Sequence, residues 1–359
     1  MGLSRAIGAR VFSLICLRHC GCTRSLVMSP RPLLALALVA GCAGDAPPVA
    51  PEDPSPDGGS DPVPDGGGDP DGGTPPGDPF DAAKLGALVT QLSTGALADR
   101  SPGTPGDKAA ADLVADRLLA LGLQVVRQPF NDATGHATEN VVALAPTAAN
   151  ARNEVIVIGA HRDSLAANGT TQFPGANANA SGTAGLLAIA EALAAKGAPP
   201  RQLVFVSFGA GESATPAGAN FFVQQLPADL LATIVLMIDL DAIGTYDADE
   251  IVFALGASTS PAGRAILEDK GGDTFPLLLD LDGAADESDH APFCAKGIPY
   301  TVFHTPDPDC YRLACDTPDR IDTASLSLIA QLAATFASEL ATSSVDLAAE
   351  RTANGCVDR

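Results

Sequence analysis

From residue 81 onward, apolar positions repeat with two different periods, and segments of the two kinds alternate. Residues 81–97 and 106–121 carry helical spacing, seen in the second as Leu113, Val114, Leu118 and Leu121 ahead of Gly122, a helix-stopping position. Residues 124–130 and 139–144 are rich in β-formers and predict a hairpin. Largely apolar runs at 154–160, 202–208, 234–240, 250–254 and 300–303 predict strands buried on both faces. Helical segments such as 183–196 separate them, and 325–340 closes the series. This alternation predicts an α/β fold, a mostly parallel mixed sheet covered by helices on both faces. Open sheets of this kind place ligands beyond the carboxyl ends of their strands. His161, Glu212 and Asp241 lie at or just past three such ends and are expected to meet at one edge.

The first eighty residues differ in kind. Residues 33–40 form an apolar run of signal-peptide length, too short for a bilayer, with Arg31 before it and Cys42 after it. Val39-Ala-Gly-Cys42 resembles a bacterial lipobox. That resemblance implies a signal region over 1–41, for which Met28 is a compact start, and Cys42 as a lipidated membrane anchor. Residues 42–80 are nearly all Asp, Gly, Pro and small residues, which predicts a disordered acidic tether reaching ~100 Å at ~3 Å per residue. Residues 81–342 remain as one domain and 343–359 as a C-terminal tail. Losing residues 1–41 removes five arginines and no acids, moving the formal charge from −22 to −27. That balance argues against nucleic acid or an anionic lipid surface as a partner.

Six short motifs run in order through the domain. They are Ala160-His-Arg-Asp-Ser164, Gly175-Ala-Asn-Ala-Asn-Ala-Ser-Gly182, Phe208-Gly-Ala-Gly-Glu212, Ile238-Asp-Leu-Asp241, Ser288-Asp-His-Ala-Pro-Phe293 and Cys310-Tyr-Arg-Leu-Ala-Cys-Asp316. Zinc takes imidazole and carboxylate ligands, and a two-metal hydrolase needs a bridging carboxylate, further ligands on each ion and a general base. By these motifs the chain resembles the secreted bacterial aminopeptidases with two co-catalytic zinc ions, over roughly residues 82–342. The same clan holds glutamate carboxypeptidase and the transferrin receptor ectodomain. The resemblance implies the zinc-exopeptidase (phosphorylase/hydrolase-like) fold, zinc as cofactor and removal of N-terminal residues from peptides. It further implies His161 and Asp241 as ligands of one ion, with Asp163 orienting the histidine. Taken alone, a strand-end histidine is a surface or capping residue as readily as a ligand.

Other positions depart from the pattern. The bridging aspartate falls on Ala178, whose methyl group cannot bridge cations. The adjacent glutamates fall on Gly211, at the base position, and Glu212, at the ligand position. Aligning on Gly218 instead makes Glu212 the base and leaves Ser213 as ligand, and either way one carboxylate remains. The last histidine falls on Arg312, and a guanidinium does not ligate zinc. Residues 212 and 312 would share one ion in the family, so Arg312 is expected within salt-bridge reach of Glu212. His304 is either a substitute ligand or a solvated loop residue. Ser288 and Asp289 either flank the substrate or cap the helix before Phe293. There is no Gly-x-Ser-x-Gly elbow or phosphate loop, and Ser181 reads as a helix-entry residue.

Four cysteines follow Cys42. The resemblance implies a Cys310–Cys315 disulfide, consistent with an oxidising compartment, with a zinc-binding cysteine pair as the rival. Cys294 reads as a small buried residue and Cys356 as part of the tail. The expected whole is an exported lipoprotein whose zinc-aminopeptidase-like domain has little or no peptidase activity and binds peptide or protein ligands. The alternatives are an active aminopeptidase using one zinc with displaced ligands, and a purely structural domain on a stalk.

Overall fold

Strands β3 (Val155–His161), β4 (Gln202–Phe208), β5 (Ile234–Leu240) and β8 (Tyr300–His304) run parallel at the centre of the computed structural model. The structure describes residues 77–213, 215–245, 252–271, 276–279, 288–305 and 309–356, so the expected signal region and nearly all of the tether lie outside it. The sheet has the order β1-β2-β4-β3-β5-β8-β6-β7. Strands β1 (Gln124–Asn131) and β2 (Ala137–Leu144) form the antiparallel hairpin at one edge. Strand β6 (Val252–Leu255) runs against β8, and β7 (Leu277–Leu279) lies parallel to β6. The sheet is therefore mixed around a parallel centre, as the alternation of periods predicts.

Side chains alternate across each strand, and this divides the core in two. Ile156, Ile158, Leu203, Phe205, Ile238 and Leu240 face one cluster, packed by α1 (Ala82–Ser93), α2 (Pro105–Ala120), α3 (Gly182–Ala195), α6 (Pro261–Lys270) and α8 (Thr323–Thr342). Val155, Val157, Val204, Val206 and Met237 face the other, against α4 (Ala217–Gln225), α5 (Ala228–Leu231) and α7 (Ala291–Cys294). Helix starts follow capping chemistry: Asp81, Thr104 and Asp322 each accept from a first-turn amide. Among the described residues α8 is the one helix long and apolar enough to cross a bilayer, but it is mostly buried as a core helix.

The expected tail needs correction. Residues 347–354 form α9 (Leu347–Asn354), capped by Asp346, with Leu347 inserted into the first cluster. Glu350 accepts from Ser260 Oγ and the Ala262 amide, and Arg351 donates to the Leu231 and Ile234 carbonyls. Cys356 is bonded to Cys294, so neither cysteine is free. This last segment belongs to the domain; it looks tail-like in sequence because its docking uses one apolar anchor and polar contacts.

Candidate active site

His161 ends β3 with its ring buried and Nδ1 3.3 Å from Asp163 Oδ1. The Asp163 carboxylate also accepts from the amides of Gly211 (2.7 Å) and Glu212 (3.0 Å), so one buried acid positions both the histidine and the loop after β4. In that loop Ala210 is left-handed (φ 57°), and the Ala217 amide returns to the Ala210 carbonyl. The consequence at 211 is steric. A Cβ there would lie 2.3 Å from His161 Cβ and 2.4 Å from its Cγ, so the backbone presses directly against the histidine.

Two titrations mark this corner. Burial pushes the Glu212 carboxyl up to about 7, against the opposing pull of His161 and Arg312 and with help from Asp163 and Asp241. Burial alone would lower His161, but Asp163 beside the ring, with Glu212 and Asp289, raises it to about 10.

Asp241 follows β5. Its Oδ1 lies 3.9 Å from His161 Nε2 and is buried without a hydrogen-bond partner. The 175–181 segment is stitched to this strand end: Asn179 accepts from the Ala242 and Gly182 amides and donates to the Leu240 carbonyl. Gly175 turns with φ 55°, and a Cβ there would meet the Ala178 carbonyl oxygen at 2.3 Å. Ala178 is buried, and its amide and that of Asn177 are held by the Asp316 carboxylate at 3.0 and 2.7 Å. Ser181 donates to the Asn177 carbonyl and accepts from Ile243 at the entry to α3, a structural role. His304 turns Nδ1 to the backbone carbonyl of Asp241 at 2.7 Å.

Arg312 meets Glu212. Its Nε lies 2.7 Å from Glu212 Oε2, in a close ion pair without hydrogen-bond alignment, and the Glu212 side chain is only 5% exposed. The guanidinium rests against the Tyr311 ring, 5.2 Å from its centroid. Arg312 is left-handed (φ 59°) within a short loop closed by the Cys310–Cys315 disulfide.

Three further buried groups lie beside Asp241. Asp239 sits two residues before it, hence on the same face of the strand, and this Asp-x-Asp spacing was the readable signal. Asp239 Oδ2 accepts from Ser288 Oγ (2.9 Å) and the His290 amide (3.1 Å) and faces His290 Nδ1 at 3.2 Å. Capping by Ser288 and Asp289 is therefore corrected: α7 starts after His290 with no side-chain cap, because Asp239 takes the Ser288 hydroxyl. Asp289 is buried with neither carboxylate oxygen partnered, and burial together with Asp239 pushes it well above the usual carboxylate range.

The profile of peptidase family M28 matches residues 140–337. The chain belongs to peptidase family M28. Leupeptin-inactivating enzyme 1 from Streptomyces exfoliatus is 31% identical over 231 residues, 63% of this chain and 49% of that protein. Leucine aminopeptidase 2 from Arthroderma otae is 29% identical over 245 residues, 61% of this chain and 46% of that protein. This M28 chain thus spans about half the length of the curated relatives it matches. The zinc aminopeptidase BSAP from Bacillus subtilis shares the fold, with a TM-score of 0.65 at 17% identity over 76% of this chain and 98% of that one.

Zinc is the cofactor that M28 membership and these relatives imply. Among the described residues no three histidine, cysteine or acidic side chains are placed to hold one ion. Ala178 offers a buried methyl group in the segment beside Asp241, and the Arg312 guanidinium, itself a cation, lies against Glu212. These residues do not fit a two-ion centre.

Proposed function

We propose that this chain is an exported, lipid-anchored M28 domain whose metal centre is dismantled, and which binds peptide ligands with little or no peptidase activity. The observation that carries the reading is the Arg312–Glu212 pair at 2.7 Å, in which a fixed side-chain charge faces a carboxylate that the family pattern gives to an ion. Gly211 packed on His161 supports it, since no base fits there without moving the ring. The tether rests on the Val39-Ala-Gly-Cys42 pattern and the Asp/Gly/Pro stretch behind it. Hydrolysis of aminoacyl-nitroanilides with and without added zinc tests the first part, with no metal-dependent turnover expected; sustained turnover would refute it. Loss of Cys42→Ala protein from the membrane fraction tests the second, and unchanged membrane retention would refute it.

One arrangement favours a second reading, an aminopeptidase working with a single zinc. His161 Nε2 and the unpartnered Asp241 Oδ1 face each other across 3.9 Å, with Asp163 behind the imidazole. Zinc-dependent hydrolysis abolished by His161→Ala would select that reading.

A further inference from the structure

The unpartnered buried atoms at this site have a pattern. Asp239 Oδ1, Asp241 Oδ1 and both oxygens of Asp289 are buried acceptors without donors, beside a histidine already held by Asp163. Asp289 stands between Ser288 and His290, both of which bond Asp239 two residues before Asp241, and the Asp241 side chain, 12% exposed, is the accessible one of the two aspartates. Buried acceptors left open call for a donor-rich group, and an ammonium offers three N–H donors and no acceptor.

Arg312 supplies the opposite chemistry. Nε is committed to Glu212, and the guanidinium makes no other hydrogen bond or ion pair among the described residues. The side chain is 32% exposed, so its outer edge is free to take a planar anion. His304, held at the Asp241 carbonyl by a 2.7 Å contact, meets the Tyr311 ring edge-on at 6.1 Å, and the Arg312 guanidinium lies over that same ring, so Arg312 and Asp241 border one corner. A simple cation would suit the aspartates and be repelled by Arg312; a simple anion would suit Arg312 and be repelled by the aspartates. A ligand carrying both charges a few bonds apart suits both.

We infer that the site takes a free α-amino acid as its zwitterion, with the ammonium on Asp241, backed by Asp289, and the carboxylate on the outer edge of Arg312. In a peptide the group next to the ammonium is a neutral carbonyl, which gives Arg312 no charge to pair. The inference rests on the reading that Arg312 replaces an ion, and it narrows the ligand from peptides to single amino acids.

Calorimetric titration of the purified protein with the L-amino acids, their amides, their N-acetyl derivatives and matching dipeptides tests this. At least one free amino acid should bind, with its amide and N-acetyl forms each about tenfold weaker or more. Arg312→Lys, which keeps the charge and loses the planar fork, should weaken the amino acid but not its amide. Asp241→Asn should weaken both, and serves if Arg312→Lys fails to fold. Amides or dipeptides binding as tightly as the free acid would overturn the amino-acid assignment and leave peptide binding standing. No binding by any of these probes would overturn both. Metal-dependent hydrolysis of the dipeptides would overturn the underlying loss of the metal centre.

Discussion

Replacing Arg312 by alanine should destabilise the domain, and by an amount that depends on pH. The lost cation lies 2.7 Å from a carboxylate that is almost wholly buried, while the arginine itself is 32% exposed. The pair therefore falls between an exposed ion pair, worth about 0–1 kcal/mol, and a buried one, whose disruption costs about 3–5 kcal/mol. Glu212 limits the loss by taking up a proton, since its carboxyl already stands at about 7. Being raised in the fold, it contributes stability at low pH that is lost as pH rises through 7; removing Arg312 raises it further and steepens that loss. At pH 8 the expected cost is about 1–3 kcal/mol, and at pH 6, where the acid is mostly neutral, under about 1 kcal/mol. Alanine is the right replacement because glycine would also relieve the left-handed φ of 59°. The chain has no tryptophan, so urea unfolding followed by far-ultraviolet circular dichroism is the assay. Equal losses at pH 6 and pH 8, or no loss at pH 8, would refute the charge-replacement argument.

Three more outcomes follow from the same geometry. Gly211→Glu should destabilise by roughly 2 kcal/mol or more and restore no hydrolysis, because its Cβ would sit 2.3 Å from His161; a stable, active variant would mean that the loop yields. Thermal stability should fall between pH 7 and pH 10 as His161, raised to about 10, loses its proton, and His161→Asn should flatten that fall; a slope identical in both proteins would contradict the assignment. Breaking Cys294–Cys356, which spans 62 residues, should cost about 2–4 kcal/mol and more than breaking Cys310–Cys315, which spans five, as scanning calorimetry of the two serine double mutants would reveal by the reverse order if wrong.

The parts of the fold built on repetition were legible in the chain. Strands β3, β4 and β5 are largely apolar runs, and their ends mark His161 and Asp241 in the sequence itself. Strand β7, Leu277–Leu279, was not, because three residues carry no period. Helix α9 escaped because Leu347 is its one buried residue, and the Cys294–Cys356 bond because pairing depends on where two distant segments dock. The methyl group at Ala178 and the guanidinium at Arg312 could be read by position. The closure of the site at Gly211 could not, since it is a backbone path, set by Ala210 in a left-handed turn and by two amides on Asp163. Asp289 was visible as a residue but not as a buried acid with both oxygens unpartnered, which only the packing around it reveals.

The central claim is that fixed side-chain charge has taken the place of bound metal. The most direct measurement is elemental analysis of protein purified without chelators and dialysed against micromolar zinc. Less than one tightly held zinc per chain is the expected result; two zinc ions per chain would contradict it.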